Sequence, residues 1–389
     1  MRRVLKRWLW RLVLLLIVLG GLMAAVKRDE ISRLMAVNSL FDADRIVDNF
    51  SHMDRMFLTL PLSKGPGPVS PLPAGAPLPL PEGFEAWQRD RAVTALVVLK
   101  DGALRHEGYY LGTGAADRRI SWSVAKSFLS VLFGIVLDEG AIGSIDDKVT
   151  KYAPSLAGSA YDGARIRDVL QMSSGVEFDE DYMDFWSDIN KMGRVIALGQ
   201  SMDAFTEDLG ETVASPGQDW HYVSIDTHVI GMVIRGATGR DIPDLIQEKL
   251  LDPLGLEADP YYVSDGYRTA FVLGGLNMPT RDYARFGQMV LQGGEWQGHR
   301  IVPRYWLATA TAPSANTAPG AEQYGYQWWI PADAREGEFY AIGVYGQYIY
   351  VNRPLGVVIA AAGADRGFTE DGVNAANIAM FRKLAEAAQ

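Results

Sequence analysis

The chain has 389 residues, of which 48% are hydrophobic and 22% charged, and its formal net charge is −10. This composition is typical of a globular protein with a large core, and the negative charge argues against nucleic-acid binding because phosphates would be repelled. The sequence has no Cys, which excludes a disulfide framework, a thiol nucleophile and a thiolate zinc site. The five His are mostly scattered and no H-E-x-x-H pattern occurs, so we expect no metal site.

Residues 1–27 combine a basic cluster with an apolar run. The first 11 residues contain five cations and no acid, and Leu12–Val26 is uncharged. With Trp8–Trp10 the run reaches the length of a membrane span, and the cations before it place the N-terminus inside. We therefore predict a single-pass anchor in the cytoplasmic (inner) membrane, with the rest of the chain on the periplasmic or extracytoplasmic side. A cleaved signal peptide is the alternative, although no clean cleavage site is present.

Two further regions follow the apolar run. Residues 28–84 contain an amphipathic helical segment and then Pro61–Glu82, which holds eight of the 19 prolines. Such a segment favours polyproline II and forms either a spacer or a strip lying on the body. Residues 85–389 read as one continuous globular unit.

The pattern of residues 85–389 predicts an α+β fold. Ala92–Leu99 and Ala103–Tyr110 form a hairpin around Lys100-Asp101-Gly102. Helices are predicted at 123–139, 164–172, 224–238, 241–251 and 280–292, and late strands at 326–330, 339–342, 347–352 and 356–362. Early strands, a helical middle and late strands indicate one antiparallel sheet built from both ends of the chain. Residues 176–215 and 311–325 are predicted to be irregular.

The segment Ser123-Val124-Ala125-Lys126 is the first candidate for chemistry. A hydroxyl is a weak nucleophile until a base takes its proton. If Ser123 begins a helix, Lys126 lies one turn later on the same face, and both the helix N-terminus and burial favour a neutral amine. Taken alone, the pattern also fits a capping Ser followed by a surface Lys.

Two other segments have features of a reactive site. Tyr222 lies before an apolar helix, and a phenol near a cationic amine loses its proton more easily, which would suit a proton shuttle. The glycines of Gly343–Gln347 precede an alternating strand and permit the close backbone approach that an oxyanion-binding amide requires. A Tyr packed at a helix start and a β-bulge are the respective alternatives.

Together, Ser123-x-x-Lys126, Tyr222-x-Ser224 and Gly343–Gln347 resemble the ordered motifs of the serine β-lactamase and penicillin-binding-protein superfamily. Similar framework segments are Ile120–Phe128, Asp138–Pro154, Ile166–Gly175, Met278–Phe286 and Gly294–Trp306. The resemblance covers roughly residues 85–385 and is closest to the class C-like branch that includes 6-aminohexanoate-dimer hydrolase and related esterases. It implies a β-lactamase-like fold in which helices flank an antiparallel sheet and form an all-helical lobe.

The resemblance also implies catalytic roles. Ser123 would attack a carbonyl and form an acyl-enzyme, and Lys126 would hold or accept the serine proton. Tyr222 would relay protons to the leaving group and later help activate water. The backbone amides of Ser123 and Val344 would form the oxyanion hole.

Three more residues are candidates for substrate binding. Tyr182 lies in a Glu180-Asp181-Tyr182 loop that resembles the loop closing over substrate in the amide-dimer hydrolase, although an ordinary loop aromatic is the alternative. Ser224 replaces the Asn of the superfamily's Tyr-x-Asn element. Tyr345 lies in a Gly-Val-Tyr-Gly-Gln segment that replaces Lys-Thr-Gly, whose cation engages a β-lactam carboxylate. Both departures disfavour an efficient β-lactamase or transpeptidase.

These features lead to one main hypothesis and two alternatives. The first is a hydrolase of small-molecule esters or short amides that acts through an acyl-enzyme at Ser123 and needs no cofactor. The second is a cell-wall peptide or D-amino-acid amidase. The third is a non-catalytic ligand-binding relative of penicillin-binding proteins, which would not need Ser123, Lys126 and Tyr222 together. The expected partners are the substrate and, through the N-terminal helix, the membrane.

Overall fold

The computed structural model describes residues 2–389, in which helices and strands are interleaved along the chain. The helices are α1 Arg2–Val26, α2 Arg28–Asn38, α3 Ile46–Asn49, α4 Phe84–Asp90, α5 Val124–Asp138, α6 Ile166–Leu170, α7 Asp188–Ala197, α8 Met202–Glu207, α9 Ser224–Thr238, α10 Ile242–Ile246, α11 Asp252–Leu254, α12 Thr280–Leu291, α13 Arg304–Ala310 and α14 Val373–Ala387. The strands are β1 Leu58–Pro61, β2 Val93–Lys100, β3 Ala103–Tyr109, β4 Arg119–Ile120, β5 Tyr261–Ser264, β6 Leu276–Met278, β7 Glu295–Trp296, β8 His299–Arg300, β9 Gln323–Tyr324, β10 Trp329–Ile330, β11 Glu338–Gly343, β12 Gln347–Asn352 and β13 Val357–Gly363.

The main sheet has seven antiparallel strands in the order β3-β2-β13-β12-β11-β10-β9. The predicted hairpin forms because Asp101 and Gly102 both adopt positive φ, at 50° and 79°, the conformation of a type I′ turn. Strand β13 then pairs with β2, so both ends of the chain build the same sheet, as predicted.

Helices cover both faces of this sheet. Leu96 and Val98 of β2 pack with Phe381 of α14, whereas Val97 and Leu99 pack into the larger cluster that contains α5 and α12. A strand buried on both faces needs apolar residues at every position, which explains the unbroken apolar run of β2. The elements from Val124 to Leu254 are helical and form the helical lobe. The α+β fold with antiparallel sheets and helices is therefore confirmed.

Residues 47–78 pack onto this body. Strand β1 pairs with β5 in a second sheet of order β1-β5-β6-β4. The guanidinium of Arg119 donates to the Val47 carbonyl at 2.7 Å and to Ser51 Oγ at 2.6 Å. In the Pro-rich segment, the Leu78 N–H donates to the Arg105 carbonyl at 2.8 Å, so this segment lies along the body. The domain boundaries at residues 27 and 84 stay a prediction.

The predicted transmembrane helix is not confirmed. No single helix within residues 2–389 is both long enough and apolar enough to qualify as a membrane span. Lys6–Met23 and Arg28–Asn38 meet these requirements of length and composition only as a pair, which is bent by 74°. The physical reason is that the uncharged run Leu12–Val26 is short, and the cations of the basic cluster occupy the preceding turns of α1.

The prediction that residues 176–215 are irregular is wrong, because this stretch contains α7 and α8. The hydroxyls of Ser187 and Ser201 accept hydrogen bonds from backbone N–H groups at the starts of these helices, at 3.4 and 3.1 Å. Such serine caps satisfy amides that lack a partner inside the helix. Met192 and Ile196 of α7 are four residues apart and both buried, which fixes the inner face of the helix.

Candidate active site

Ser123 lies at the N-terminus of α5, directly after a sharp turn. Trp122 adopts a positive φ of 41°, which is unusual for a residue with a side chain, and the Ser121 N–H donates to the Leu276 carbonyl at 2.8 Å. The helix that follows is buried from Val124 to Val136. This combination holds the backbone firmly on both sides of Ser123 while leaving its side chain half-buried at a cavity wall.

Lys126 is buried inside the protein, with 2% of its surface exposed, so the alternative of a surface lysine is wrong. Its Nζ donates to the Leu273 carbonyl at 3.1 Å and lies 5.5 Å from the centroid of the Tyr222 ring. Burial lowers the pKa of Lys126 to about 7, although the nearby Glu180 and Asp226 carboxylates oppose this shift. A substantial fraction of the amine is therefore neutral near neutral pH.

Tyr222 lies close to both Ser123 and Lys126. Burial raises the pKa of its phenol above the ordinary value, and the charge of Glu180 adds to the shift. The neighbouring Ser123 and Ser224 side chains oppose this shift, and Tyr222 lines the same cavity as Ser123. The structure therefore brings Ser123, Lys126 and Tyr222 together, although the last is 96 to 99 positions away in the sequence.

Two acidic groups beside Lys126 were missed as site residues by the sequence analysis. Glu180 accepts hydrogen bonds from the backbone N–H of Ser224, from Ser224 Oγ at 3.1 Å and from the Tyr182 hydroxyl at 2.9 Å. Asp226 accepts one from the Tyr161 hydroxyl at 2.7 Å. Burial raises the pKa of both carboxyls, that of Asp226 to about 8.

The place of Glu180 beside Lys126 could not be predicted from the Ser-x-x-Lys and Tyr-x-Ser motifs alone. Its loop is far from Lys126 in the sequence, and the resemblance drew attention to Tyr182 instead. Asp226 had a clearer signal, since it lies four residues after Tyr222, in the first turn of α9.

Strand β11 ends beside the backbone of Ser123. A Cβ added to Gly343 would lie 2.6 Å from the Ser121 carbonyl oxygen and 3.0 Å from the Ser123 nitrogen, so only glycine permits this approach. Val344 follows immediately and lines the same cavities as Ser123. Within residues 2–389, neither the Ser123 nor the Val344 N–H donates to a backbone carbonyl outside regular helices and strands. Both amides are thus free for an anionic oxygen.

Two cavities meet at Ser123. The first has a volume of about 260 Å³ and the second of about 250 Å³, and Ser123, Tyr182 and Val344 line both. Tyr222 lines only the second cavity. Ser123 therefore faces two separate spaces.

The predicted substrate-binding residues have different places around these cavities. Tyr182 stands at the junction, and its ring lies 5.7 Å from that of Phe368. Ser224 lines the first cavity, but its hydroxyl is already bonded to Glu180. Tyr345 also lines the first cavity, where its ring stacks on Phe41 with 4.8 Å between the centroids.

Metal ligation has no structural basis in the part of the chain that the structure describes. His, Asp and Glu side chains do not form a group of three or more that could hold a metal ion within residues 2–389. The carboxylates near Lys126 instead accept hydrogen bonds from hydroxyls and from one backbone amide.

The fold is that of the β-lactamase-related hydrolases. The beta-lactamase family profile matches residues 70–380, and the chain belongs to this family. It is 29% identical over 283 residues to the 6-aminohexanoate-dimer hydrolase of Paenarthrobacter ureafaciens, an alignment that covers 69% of this chain and 72% of that protein.

Solved structures show the same fold. A Bacillus anthracis protein, provisionally described as a 6-aminohexanoate-dimer hydrolase, superposes with a TM-score of 0.79 at 22% identity, covering 89% of this chain and 95% of its own. A D-stereospecific amidohydrolase from Streptomyces superposes with a TM-score of 0.58 at 21% identity, covering 75% of this chain and 97% of its own. The predicted relationship to the serine β-lactamase and penicillin-binding-protein superfamily is confirmed.

Proposed function

We propose that this protein hydrolyses esters or short amides of small molecules through an acyl-enzyme at Ser123. The observation that carries the proposal is the convergence of three groups: Ser123 and Tyr222 line one cavity, and the buried amine of Lys126 lies 5.5 Å from the centroid of the Tyr222 ring. Burial also lowers the pKa of Lys126 to about 7. A structural lysine gains little from burial without a paired carboxylate contact, whereas a proton acceptor needs to be neutral. The relative named 6-aminohexanoate-dimer hydrolase supports the same reaction class.

The reaction has two halves. In the first, Lys126 takes the proton of Ser123 as Oγ bonds to the carbonyl carbon, and the resulting oxyanion receives the amides of Ser123 and Val344. The bond to the leaving group then breaks, and the proton passes to the leaving oxygen or nitrogen through Tyr222. In the second half, water loses a proton to the same groups, attacks the acyl carbon and releases the acid and Ser123.

Tyr222 is suited to proton transfer through the position of its phenol. The prediction that this phenol loses its proton more easily is wrong, because burial raises its pKa. The phenol is protonated at neutral pH and can pass a proton to a departing group while it receives one from Lys126. Glu180 positions the start of α9 through Ser224 and fixes Tyr182 at the junction of the two cavities. The two residues after Gly343 are Val and Tyr and supply no cation, so we expect poor turnover of β-lactams.

A labelling experiment tests the proposal. Ser123→Ala should lose fluorophosphonate labelling and turnover of p-nitrophenyl esters. Ser127→Ala is the matched control, since Ser127 lies in the same helix and its hydroxyl donates to the Gln327 carbonyl at 2.7 Å, away from the cavities. Full labelling of the Ser123 variant, or no labelling of the folded wild type, would refute the proposal. Release of D-amino acids from peptides would instead favour the amidase alternative.

We also propose that α1 associates with the cytoplasmic membrane and leaves the catalytic body on the outer side. Trp8, Trp10 and Ile17 are 65%, 72% and 65% exposed, and a large apolar surface of this kind favours lipid. Fractionation of cells that express the full chain and a variant starting at Lys27 tests this proposal. Equal recovery of both from the soluble fraction would contradict it.

A further inference from the structure

We infer that the first cavity is an acyl-binding pocket for an unbranched, uncharged chain of medium length. The inference rests on the proposed hydrolysis at Ser123 and adds the class of substrate. Two cavities meet at Ser123, and the group that would protonate the leaving atom lies on the side of only one of them. Tyr222 lines the second cavity and not the first. The leaving group therefore occupies the second cavity, and the acyl chain extends into the first.

The walls of the first cavity are predominantly apolar. Apolar side chains that line it include Leu40, Phe41, Met53, Phe57, Met192 and Phe271. None of the described residues that line it is acidic. Its charged residue, Arg194, is already engaged, because its guanidinium donates to the Phe185 carbonyl at 2.7 Å and lies 4.2 Å from the Phe185 ring centroid.

This lining distinguishes between acyl groups. A hydrocarbon chain gains free energy from burial here, whereas a terminal ammonium would be buried without a carboxylate partner. The pocket therefore favours a neutral alkanoyl group over an aminoalkanoyl group. The 29% identical relative is named for a substrate whose acyl chain carries an amine, so this pocket marks a difference in substrate class.

The volume of the first cavity sets the length of the acyl chain that it can hold. An apolar cavity of about 150 Å³ holds benzene, with six carbon atoms, so about 260 Å³ accommodates on the order of ten. Octanoyl and decanoyl chains fit this space, and a palmitoyl chain exceeds it. Butyryl would leave more than half of it empty.

One wall of the pocket comes from outside the region that defines the family. Residues 37–57 contribute Phe41, Met53 and Phe57, and they precede the family match, which begins at residue 70. The ring of Phe41 stacks on the ring of Tyr345, the residue after Val344, at an interplanar angle of 11°. The pocket therefore depends on a segment that precedes the family match in the sequence.

Gly193 provides a direct way to shorten the pocket. It lies in α7 on the cavity wall, and a Cβ built on it meets no atom within 4 Å. Gly193→Ala and Gly193→Leu would thus fill the cavity progressively, while the helix tolerates or gains from both. Gly210→Leu is the matched control, because Gly210 is exposed, also has no atom within 4 Å of its Cβ, and lies outside the cavity.

The experiment measures kcat/KM for p-nitrophenyl acetate, butyrate, octanoate, decanoate and palmitate, and for an aminoalkanoyl ester matched in length to octanoate. We expect kcat/KM of the wild type to rise about three- to fourfold for each methylene from butyrate to octanoate and to fall at palmitate. The aminoalkanoyl ester should react at least about tenfold more slowly than octanoate. Gly193→Leu should lower the octanoate-to-acetate ratio by about tenfold or more, Gly193→Ala by less, and Gly210→Leu should leave it unchanged.

The two possible failures are distinct. Ser123-dependent turnover that does not vary with chain length, or a Gly193→Leu enzyme that keeps the wild-type octanoate-to-acetate ratio, would overturn the acyl pocket and leave the proposed hydrolysis intact. If no ester is turned over and a small fluorophosphonate does not label Ser123 in the folded protein, both the hydrolysis and the pocket are refuted.

Discussion

The lowered pKa of Lys126 predicts a specific pH dependence of catalysis. Burial moves the pKa of this amine from an ordinary 10.5 to about 7. At about 1.4 kcal/mol for each pH unit, the interior disfavours the charged amine by about 5 kcal/mol. Only the neutral amine can accept the proton of Ser123, so kcat/KM should be half-maximal near pH 7 and fall about tenfold for each unit below it.

Substitution of a neighbouring carboxyl shows which group titrates. The Glu180 carboxylate raises the pKa of Lys126 more than any other group does, so Glu180→Gln should move the rising limb of the profile to lower pH. The Gln side-chain oxygen can still accept from the Ser224 backbone N–H, which preserves the start of α9. Asp208→Asn, which removes an exposed carboxylate outside the site, should leave the limb in place.

The assay is kcat/KM for p-nitrophenyl octanoate between about pH 5 and about pH 9 at constant ionic strength, with product measured after quenching because nitrophenol titrates in this range. A limb near pH 10 would refute the claim that burial neutralises Lys126. A limb near pH 7 that does not move in Glu180→Gln would show that another group titrates.

Three further predictions concern the same site. Tyr222→Phe should lower kcat about a hundredfold or more with little change in KM, because the ring remains beside Lys126 while the proton donor is lost; an unchanged kcat in steady-state kinetics would exclude the relay. Gly343→Ala should abolish labelling of Ser123 and lower the melting temperature, since the new methyl group would lie 3.0 Å from the Ser123 nitrogen; wild-type labelling would show that β11 can move away. Lys126→Met should raise the melting temperature most at and below pH 7. The amine is protonated in the unfolded chain below about pH 10 but has a lower pKa when folded. The free-energy cost of burying it therefore grows as pH falls from about 10 to about 7 and is constant below that. Thermal denaturation that shows an equal gain at pH 10 would contradict this origin.

Local patterns were sufficient for much of the fold. The turn at Asp101-Gly102 determines the first hairpin, and the apolar periodicity of α9 gives its limits, Ser224–Thr238, which the prediction matches. Ser187 and Ser201, which cap α7 and α8, were also present in the sequence. The two helices were not predicted because each is short and lies between loops, so its apolar residues form only a brief periodic pattern. These features depend on neighbours within a few residues, which is why a sequence alone can specify them.

The active site was predictable only in part, and for a different reason. Ser123 and Lys126 share one helix, so helical geometry places them together without any tertiary information. Tyr222 could be joined to them only through a resemblance, because nothing in its local sequence fixes its distance from Ser123.

The tertiary structure alone decided the environment that gives these groups their chemistry. The pKa of Lys126 depends on burial and on Glu180, whose loop is 54 positions away in the sequence. The first cavity joins α7 to Phe41 of a segment that the sequence analysis treated as part of a separate region. Desolvation and cavity shape arise from atoms that meet only when the chain has folded, and so no local pattern encodes them.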